Sequence, residues 1–167
     1  YERKWVKKKL SNQKFNLKKL KKINLDEALL KILSSPNYSN KNWVTEQYDQ
    51  MVMCDTVQRS GCDAAIVRIH NKDKAIAVSV DSSANYCKSH PMTGGKQIVC
   101  ENWRNLITVG AKPIAITNCL NFGNPENNKI MGEFAECLDG IKEACEFLNF
   151  PVVSGNVSFY NGTNKKN

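Results

Sequence analysis

Histidine is nearly missing from this chain. His70 and His90 are the only two in 167 residues, too few for a histidine metal centre. No nucleophile and base stand in a recognisable pairing, so neither Ser–His–Asp nor Cys–His chemistry has support. The seven cysteines (Cys54, Cys62, Cys87, Cys100, Cys119, Cys137, Cys145) contain no Cys-x-x-Cys pair, which excludes a zinc ribbon or a thioredoxin-type motif. Their number is odd and their spacing wide. Cys100, Cys119, Cys137 and Cys145 fall in apolar-periodic segments, where a free thiol behaves as a small hydrophobe. That usage fits a reducing cytoplasm. No apolar run approaches the roughly 18 residues of a membrane span, and no signal-peptide core is present. The Gly-x-x-x-x-Gly-Lys-Ser/Thr spacing of a phosphate-binding loop is also absent.

Acidic charge is scarce only at one end. The net charge is +8. Residues 1–22 hold ten basic residues and the single acid Glu2, a net +9, which leaves the remaining chain at −1. A basic arm on a near-neutral body fits either a solvated linker or an electrostatic grip on nucleic acid or an anionic surface. Trp5 and Phe15 are the arm's large aromatics besides Tyr1, without the regular interleaving that stacks bases. The chain opens on Tyr1 rather than Met and closes on a polar Asn- and Lys-rich tail, so a longer parent is expected.

Three segments follow from pattern. Residues 1–42 read as a basic linker with one short helix, 43–163 as a single folded domain, and 164–167 as a polar tail. The short helix spans Asn24 to Leu33, with Asn24 as cap and Glu27 three residues on, as in a capping box. In the body, residues 63–69 and 75–80 are short apolar strands joined by Asn71-Lys72-Asp73-Lys74, a hairpin. Ser82 to Gly95 reads as an irregular loop. Val99, Trp103, Leu106 and Gly110 keep helical spacing. Ile114 to Thr117 is a third strand. A long helix runs from about Asn128 to Leu148, with Ile130, Phe134, Leu138, Ile141, Cys145 and Leu148 on one face. A last strand starts at Val152-Val153. The order β-β-α-β-α-β predicts an α+β two-layer sandwich, a mixed sheet with helices on one face.

Three strand ends carry groups able to hold a ligand. One ends in Asp81, one in Asn118 followed by Asn121-Phe122-Gly123-Asn124-Pro125, and the last in Ser154-Gly155-Asn156-Val157-Ser158. Strand ends in layered sheets tend to converge on a ligand. A carboxylate with amide and hydroxyl oxygens suits Mg²⁺, which is often bound together with phosphates. An ordinary β-turn is the competing reading of Gly155-Asn156. Gly94-Gly95-Lys96 reads as the start of a helix, either an anion site or a plain first turn. His90, before Pro91, reads as solvated. Glu101 and Arg104 read as an i,i+3 ion pair.

Taken together, Gly94-Gly95-Lys96, Glu101-x-x-Arg104-Asn105, Gly110-Ala111-Lys112-Pro113, Leu120-Asn121-Phe122-Gly123-Asn124-Pro125 and Ser154-Gly155-Asn156-Val157-Ser158-x-Tyr160-Asn161 resemble the large-subunit (PurL-type) phosphoribosylformylglycinamidine synthases of purine biosynthesis. The resemblance covers roughly residues 28–163, including Asn37, Trp43 and Gln47-Tyr48-Asp49. It is better to the second of that enzyme's two repeats, each like aminoimidazole ribonucleotide synthetase. The resemblance implies a PurM N-terminal-like domain, the first half of repeat two, behind an inter-repeat linker. It implies an ATP- and Mg²⁺-dependent ligase that amidates formylglycinamide ribonucleotide, with this fragment inactive alone. By the same resemblance Asn118 and Gly155 would meet ATP, Asn156 and Asp81 would hold Mg²⁺, and Ser158 would touch the substrate. No catalytic residue is implied, because the family's catalytic histidine belongs to repeat one. Asn118 stands where the family usually has Asp, Asn85 where it has Arg and His90 where it has Asp. Implied partners are ATP, formylglycinamide ribonucleotide, the remaining domains of the parent, a glutaminase subunit and a second copy of the fragment. Alternatives are a nucleotide-binding or structural pseudo-dimer repeat, a kinase or selenophosphate-type synthetase of the same superfamily, or a nucleic-acid-binding arm. No membrane partner is implied, and the location is cytoplasmic.

Overall fold

The computed structural model describes residues 3–10, 24–48 and 50–162. Residues 11–22 of the basic arm, Asp49 and the tail lie outside the described residues. The chain divides into two compact units, one of residues 11–55 and one of residues 1–10 with 56–167. The division falls after Asp55, and it takes the start of the basic arm into the larger unit.

In the smaller unit, helix α1 spans Leu25–Leu33. Asn24 caps it as expected, its side chain accepting from the backbone of Asp26 at 3.0 Å and of Glu27 at 3.4 Å. This satisfies donors that a helix start leaves orphaned. Helix α2, Asn42–Thr45, and two 3₁₀ turns, Pro36–Tyr38 and Val52–Cys54, complete the unit.

The larger unit carries β1 (Thr56–Gln58), β2 (Ala65–Arg68), β3 (Ala75–Val78), α3 (Ala84–Ser89), α4 (Pro91–Thr108), β4 (Ile116–Asn121), α5 (Asn128–Leu148) and β5 (Val152–Ser158). The expected hairpin is β2–β3, antiparallel, with Ala65 opposite Val78 and Val67 opposite Ile76. β1, not foreseen, adds to its edge. β4 and β5 run parallel. The strands hydrogen-bond as two sheets, β1-β2-β3 and β4-β5, rather than as one continuous ladder. Ala64, just before β2, and Ala77 on the first sheet, with Ile116 and Leu120 on the second, share one hydrophobic core with α4 and α5. The helix-plus-sheet class read from the sequence is thus the observed one.

The 3.6-residue period correctly placed α5, but its most buried stripe holds small residues. Gly132, Glu136, Cys137, Gly140, Ile141, Ala144 and Cys145 are buried, whereas Ile130, Phe134 and Leu138 are only half-buried. Close approach of neighbouring backbone explains this. A Cβ on Gly140 would collide with the Met92 carbonyl, and one on Gly95 would lie 2.5 Å from the Cys137 carbonyl oxygen. Gly94 and Gly95 are the fourth and fifth residues of α4 and let α3 and α5 approach. Lys96 pairs with Glu143 of α5. The triplet, read from the sequence as either an anion site or a plain first turn, forms a helix crossing. The loop predicted from Ser82 to Gly95 is likewise helical over most of its length, because Ser83 and His90 only flank α3 and α4.

The start of the basic arm docks on α5. The Val6 amide donates to the Asn128 carbonyl at 3.0 Å. A Cβ on Gly132 would collide with the Val6 carbonyl. The Lys8 amide donates to Glu136 Oε2 at 2.9 Å, and its ammonium reaches Glu133 Oε1 at 2.6 Å and the Lys88 carbonyl. Glu136, 6 % exposed, thereby gains a hydrogen-bond partner that a buried carboxylate needs. Over these residues the arm is a strap, not a solvated linker.

Candidate functional site

The two Asn-rich strand ends do meet. In the β4–β5 pair, Asn118 is opposite Gly155, Cys119 opposite Asn156, and Asn121 opposite Ser158. The strands run further than expected. β4 extends to Asn121 rather than ending at Thr117, and β5 passes straight through Ser154-Gly155-Asn156 to Ser158. The turn expected at Gly155-Asn156 is absent. These residues can stay extended because each strand supplies the other's ladder partners, so the amide side chains need not bond their own backbone.

Gly155 has a specific job in this ladder. A Cβ there would collide with Asn118 Oδ1 and lie 2.7 Å from the Asn118 carbonyl oxygen. The missing side chain is what lets the Asn118 carboxamide lie across the neighbouring strand. A register shift between Ile116 and Thr117, opposite Val152 and Ser154, leaves Val153 as a bulge, and bulges re-aim the residues beyond them.

The pleat then splits the sequence-predicted set. Successive strand residues face opposite ways. Asn118 and Gly155 share one face with Leu120, and Asn118 lines a cleft of about 580 Å³ with Leu138, Asp139, Lys142, Glu146 and Phe150. Asn156 and Ser158 lie on the other face with Cys119 and Asn121, and of these only Ser158 is half-buried. The candidate ATP residues and the candidate metal and substrate residues thus lie on opposite faces of one two-stranded sheet. Beyond the strands, the chain is zipped shut. Phe122 N donates to the Ser158 carbonyl, Tyr160 N to that of Gly123, and the Asn161 side chain to the carbonyls of Ser158 and Phe122. Phe122 and Phe159 each meet Phe134 of α5 edge-on, with ring centroids 5.2 Å apart. This is the work of the Phe in Leu-Asn-Phe-Gly-Asn-Pro. The second Asn of that motif, Asn124, accepts from the Glu126 amide at 2.8 Å and turns the chain toward α5.

Asp81 follows a different pattern. Its Oδ1 accepts from Asn105 at 2.9 Å, and its Oδ2 accepts from Asn102 at 3.1 Å and from Ser79 at 3.2 Å. The carboxylate fastens the end of β3 to α4. Sequence reasoning missed Asn102 and gave Asn105 no partner, although Asn102 and Asn105 are spaced i,i+3 and so share a helix face. Asp81→Ala leaves the Asn105 amide without its acceptor, whereas Asn102 keeps the Ser79 carbonyl at 3.2 Å. Charge-assisted bonds are worth about 1.5–3 kcal/mol each when buried, and Asp81 is half-exposed. The expected loss is therefore near the low end, about 2 kcal/mol, read as a fall of about 8 °C in thermal midpoint. A midpoint within about 2 °C of the parent, the size of an ordinary surface substitution, would remove the fastening role.

Among the described residues no three His, Cys, Asp or Glu side chains cluster as a metal cage. The donors present are oxygen groups of the kind that bind a hard cation alongside phosphates rather than in an all-protein cage. Asn156, exposed on the open face, fits such a role. Asp81 does not fit it as well, since both its oxygens are already accepting. Glu101 and Arg104 form no ion pair among the described residues. His90 is exposed and stays near Ser89, whose hydroxyl lies 2.8 Å from Nδ1. No helix among the described residues is long and apolar enough to cross a membrane.

This two-sheet, three-helix unit is of a known kind. Residues 61–167 match the family described as AIR synthase related protein, N-terminal domain, and the chain belongs to it. It is 60% identical over 164 residues to phosphoribosylformylglycinamidine synthase subunit PurL of Pelagibacter ubique (strain HTCC1062), spanning 98% of this chain and 22% of that one. Among solved structures, PurLQS from Thermotoga maritima superposes with a TM-score of 0.71 at 38% identity, over 77% of this chain and 21% of that chain. T. maritima PurL complexed with ATP superposes at 0.67 with 37% identity, over 77% of this chain and 21% of that one. The chain spans about a fifth of the length of the relatives it matches.

Proposed function

We propose that the chain is the N-terminal half of the second repeat of a phosphoribosylformylglycinamidine synthase, with residues 1–42 as the inter-repeat segment, strapped to α5 through Val6 and Lys8, and 43–163 as the domain. The parent would catalyse ATP-dependent amidation of formylglycinamide ribonucleotide in the cytoplasm, with ammonia from a glutaminase subunit. The observation that carries this reading is the Asn118–Gly155 contact, in which a glycine clears space for an amide oxygen in the middle of the β4–β5 ladder. That arrangement has little structural purpose without a ligand, because Gly in a strand interior is destabilising by roughly 0.5–1 kcal/mol.

Within this reading, Asn118 and Gly155 form the nucleotide contact, Asn156 holds Mg²⁺ and Ser158 approaches the substrate. Bound Mg²⁺ would offset phosphate charge. Asp81 acts as a fastener of β3 to α4. The seven thiols, all free, agree with a reducing compartment. A further observation favours a part over a whole. Val67, Ile76 and Val78 share the outer face of β2–β3 and are about half exposed. Both faces of these strands are apolar, as in sheets covered on both sides, so the rest of the parent, or a second copy of the chain, would cover the outer one.

The test is calorimetric titration with ATP, with and without Mg²⁺. Asn156→Ala is the control, an exposed change expected to alter stability by no more than about 0.5 kcal/mol. Magnesium-dependent binding weakened at least about tenfold in the variant, or about 1.4 kcal/mol, is expected. Binding that is indifferent to Asn156 would overturn the assignment of that residue.

A further inference from the structure

Cys137 Sγ lies 3.8 Å from Cys87 Sγ and donates its thiol hydrogen to it. Cys87 is on α3 and half-buried, and Cys137 is on α5 and buried. The two are fifty positions apart in sequence, and the proximity is produced by the α3–α4–α5 packing that Gly94 and Gly95 permit. We propose that Cys87 and Cys137 form an oxidisable dithiol, a modification site that peroxide converts to a disulfide stapling α3 to α5.

The geometry sets the roles. A disulfide needs an S–S separation of about 2.05 Å, so the sulfurs must approach by a little under 2 Å. Cys87 is the solvent-reachable partner and accepts the hydrogen bond, so its thiolate is the stabilised one. That bond holds the Cys87 thiol below its ordinary range, against a smaller opposing effect of burial. The same bond, and then burial, push the Cys137 thiol up. A low-pKa accessible thiol next to a resolving thiol is the arrangement that peroxide finds.

The steps balance. The Cys87 thiolate attacks one peroxide oxygen, the O–O bond breaks, and hydroxide leaves, taking up a proton to become water. Cys87 is then a sulfenic acid. Cys137 loses its proton to solvent and its sulfur attacks Cys87 Sγ. The S–O bond breaks, and the departing hydroxide is protonated to a second water. Each sulfur is oxidised by one electron and the peroxide is reduced by two. The staple would fix α3, which begins three residues after Asp81, to the long helix.

The test uses the full chain with the exposed thiols removed (Cys54→Ser, Cys62→Ser, Cys119→Ser). Four thiols remain. Stoichiometric hydrogen peroxide at neutral pH should reduce the native count from four to two. A peptide map should then show one linked pair, Cys87 with Cys137, lighter than the two free peptides by two hydrogens. Dithiothreitol should restore four. If the triple variant fails to fold, the same map is read on the unaltered chain. There, Cys137→Ala should leave Cys87 as a sulfenic acid that dimedone traps. A link through Cys100 or Cys145 instead, or over-oxidised Cys87 with Cys137 still free, overturns the proposal.

Discussion

Gly140→Val is expected to lower the thermal midpoint of the chain by about 12 °C, corresponding to about 3 kcal/mol. Local propensity argues the other way. Gly inside a helix costs up to about 1 kcal/mol relative to Ala, so a side chain here should stabilise α5 if nothing opposes it. What opposes it is backbone. A Cβ at Gly140 would strike the Met92 carbonyl oxygen, lie 2.9 Å from its carbonyl carbon and 3.1 Å from its Cα. A rotamer change cannot relieve a clash with main chain, so the start of α4 must move. That movement would open the Gly95–Cys137 crossing beside it and expose Val99, which is 1 % exposed. Circular dichroism melts of Gly140→Ala and Gly140→Val measure the balance. Overpacking outweighs propensity if both fall, valine further. A rise in midpoint for alanine would mean that α4 and α5 are not in backbone contact.

Phe150→Ala should remove about 4 kcal/mol, within the roughly 3–5 kcal/mol seen for buried aromatic deletions. Phe150 is fully buried and sits at the hinge between α5 and β5. Asn149 before it takes a left-handed conformation, φ 49°, and ends the helix. The Phe150 amide then donates to the Cys145 carbonyl at 2.9 Å. Phe150 thus anchors the chain just before β5 begins at Val152, next to Pro151, whose carbonyl accepts from the Ile116 amide at 3.0 Å. Its loss should weaken the β4–β5 register as well as the core. Urea unfolding measures the first effect, with the midpoint falling at unchanged slope. Hydrogen exchange at Asn118 and Gly155 measures the second, with protection falling more than the global loss. Phe150→Leu should lose much less, about 1.5 kcal/mol, since volume is largely kept. Equal losses for Leu and Ala would mean that the ring is not packed as described.

Much of the architecture was legible locally. The 3.6-residue period gave α4 and α5, short apolar runs and the Asn-Lys-Asp-Lys turn gave β2–β3, and Asn24 announced α1. The resemblance located the Asn118 and Gly155 positions, and the structure pairs them across one ladder. Three readings failed for one reason. Gly94-Gly95-Lys96 resembled a helix start, Gly155-Asn156 a turn, and the basic arm, of which residues 3–10 are described, a solvated linker. Each is locally flexible or polar, and each is held by a partner far away in sequence: Cys137 against Gly95, Asn118 against Gly155, Glu136 against Lys8.

Sequence by itself determined the long helices, the β2–β3 hairpin, the Asn24 cap and the family to which the chain belongs, because these rest on short-range periodicity, side-chain type and motif order. Only the tertiary structure decided which face of the β4–β5 pair each polar residue occupies, that Asp81 is bound to α4, that Val6 and Lys8 strap α5, and that Cys87 meets Cys137. Those depend on register and helix crossing. A one-residue shift in register turns every side chain to the opposite face, and no local pattern in the sequence records that choice.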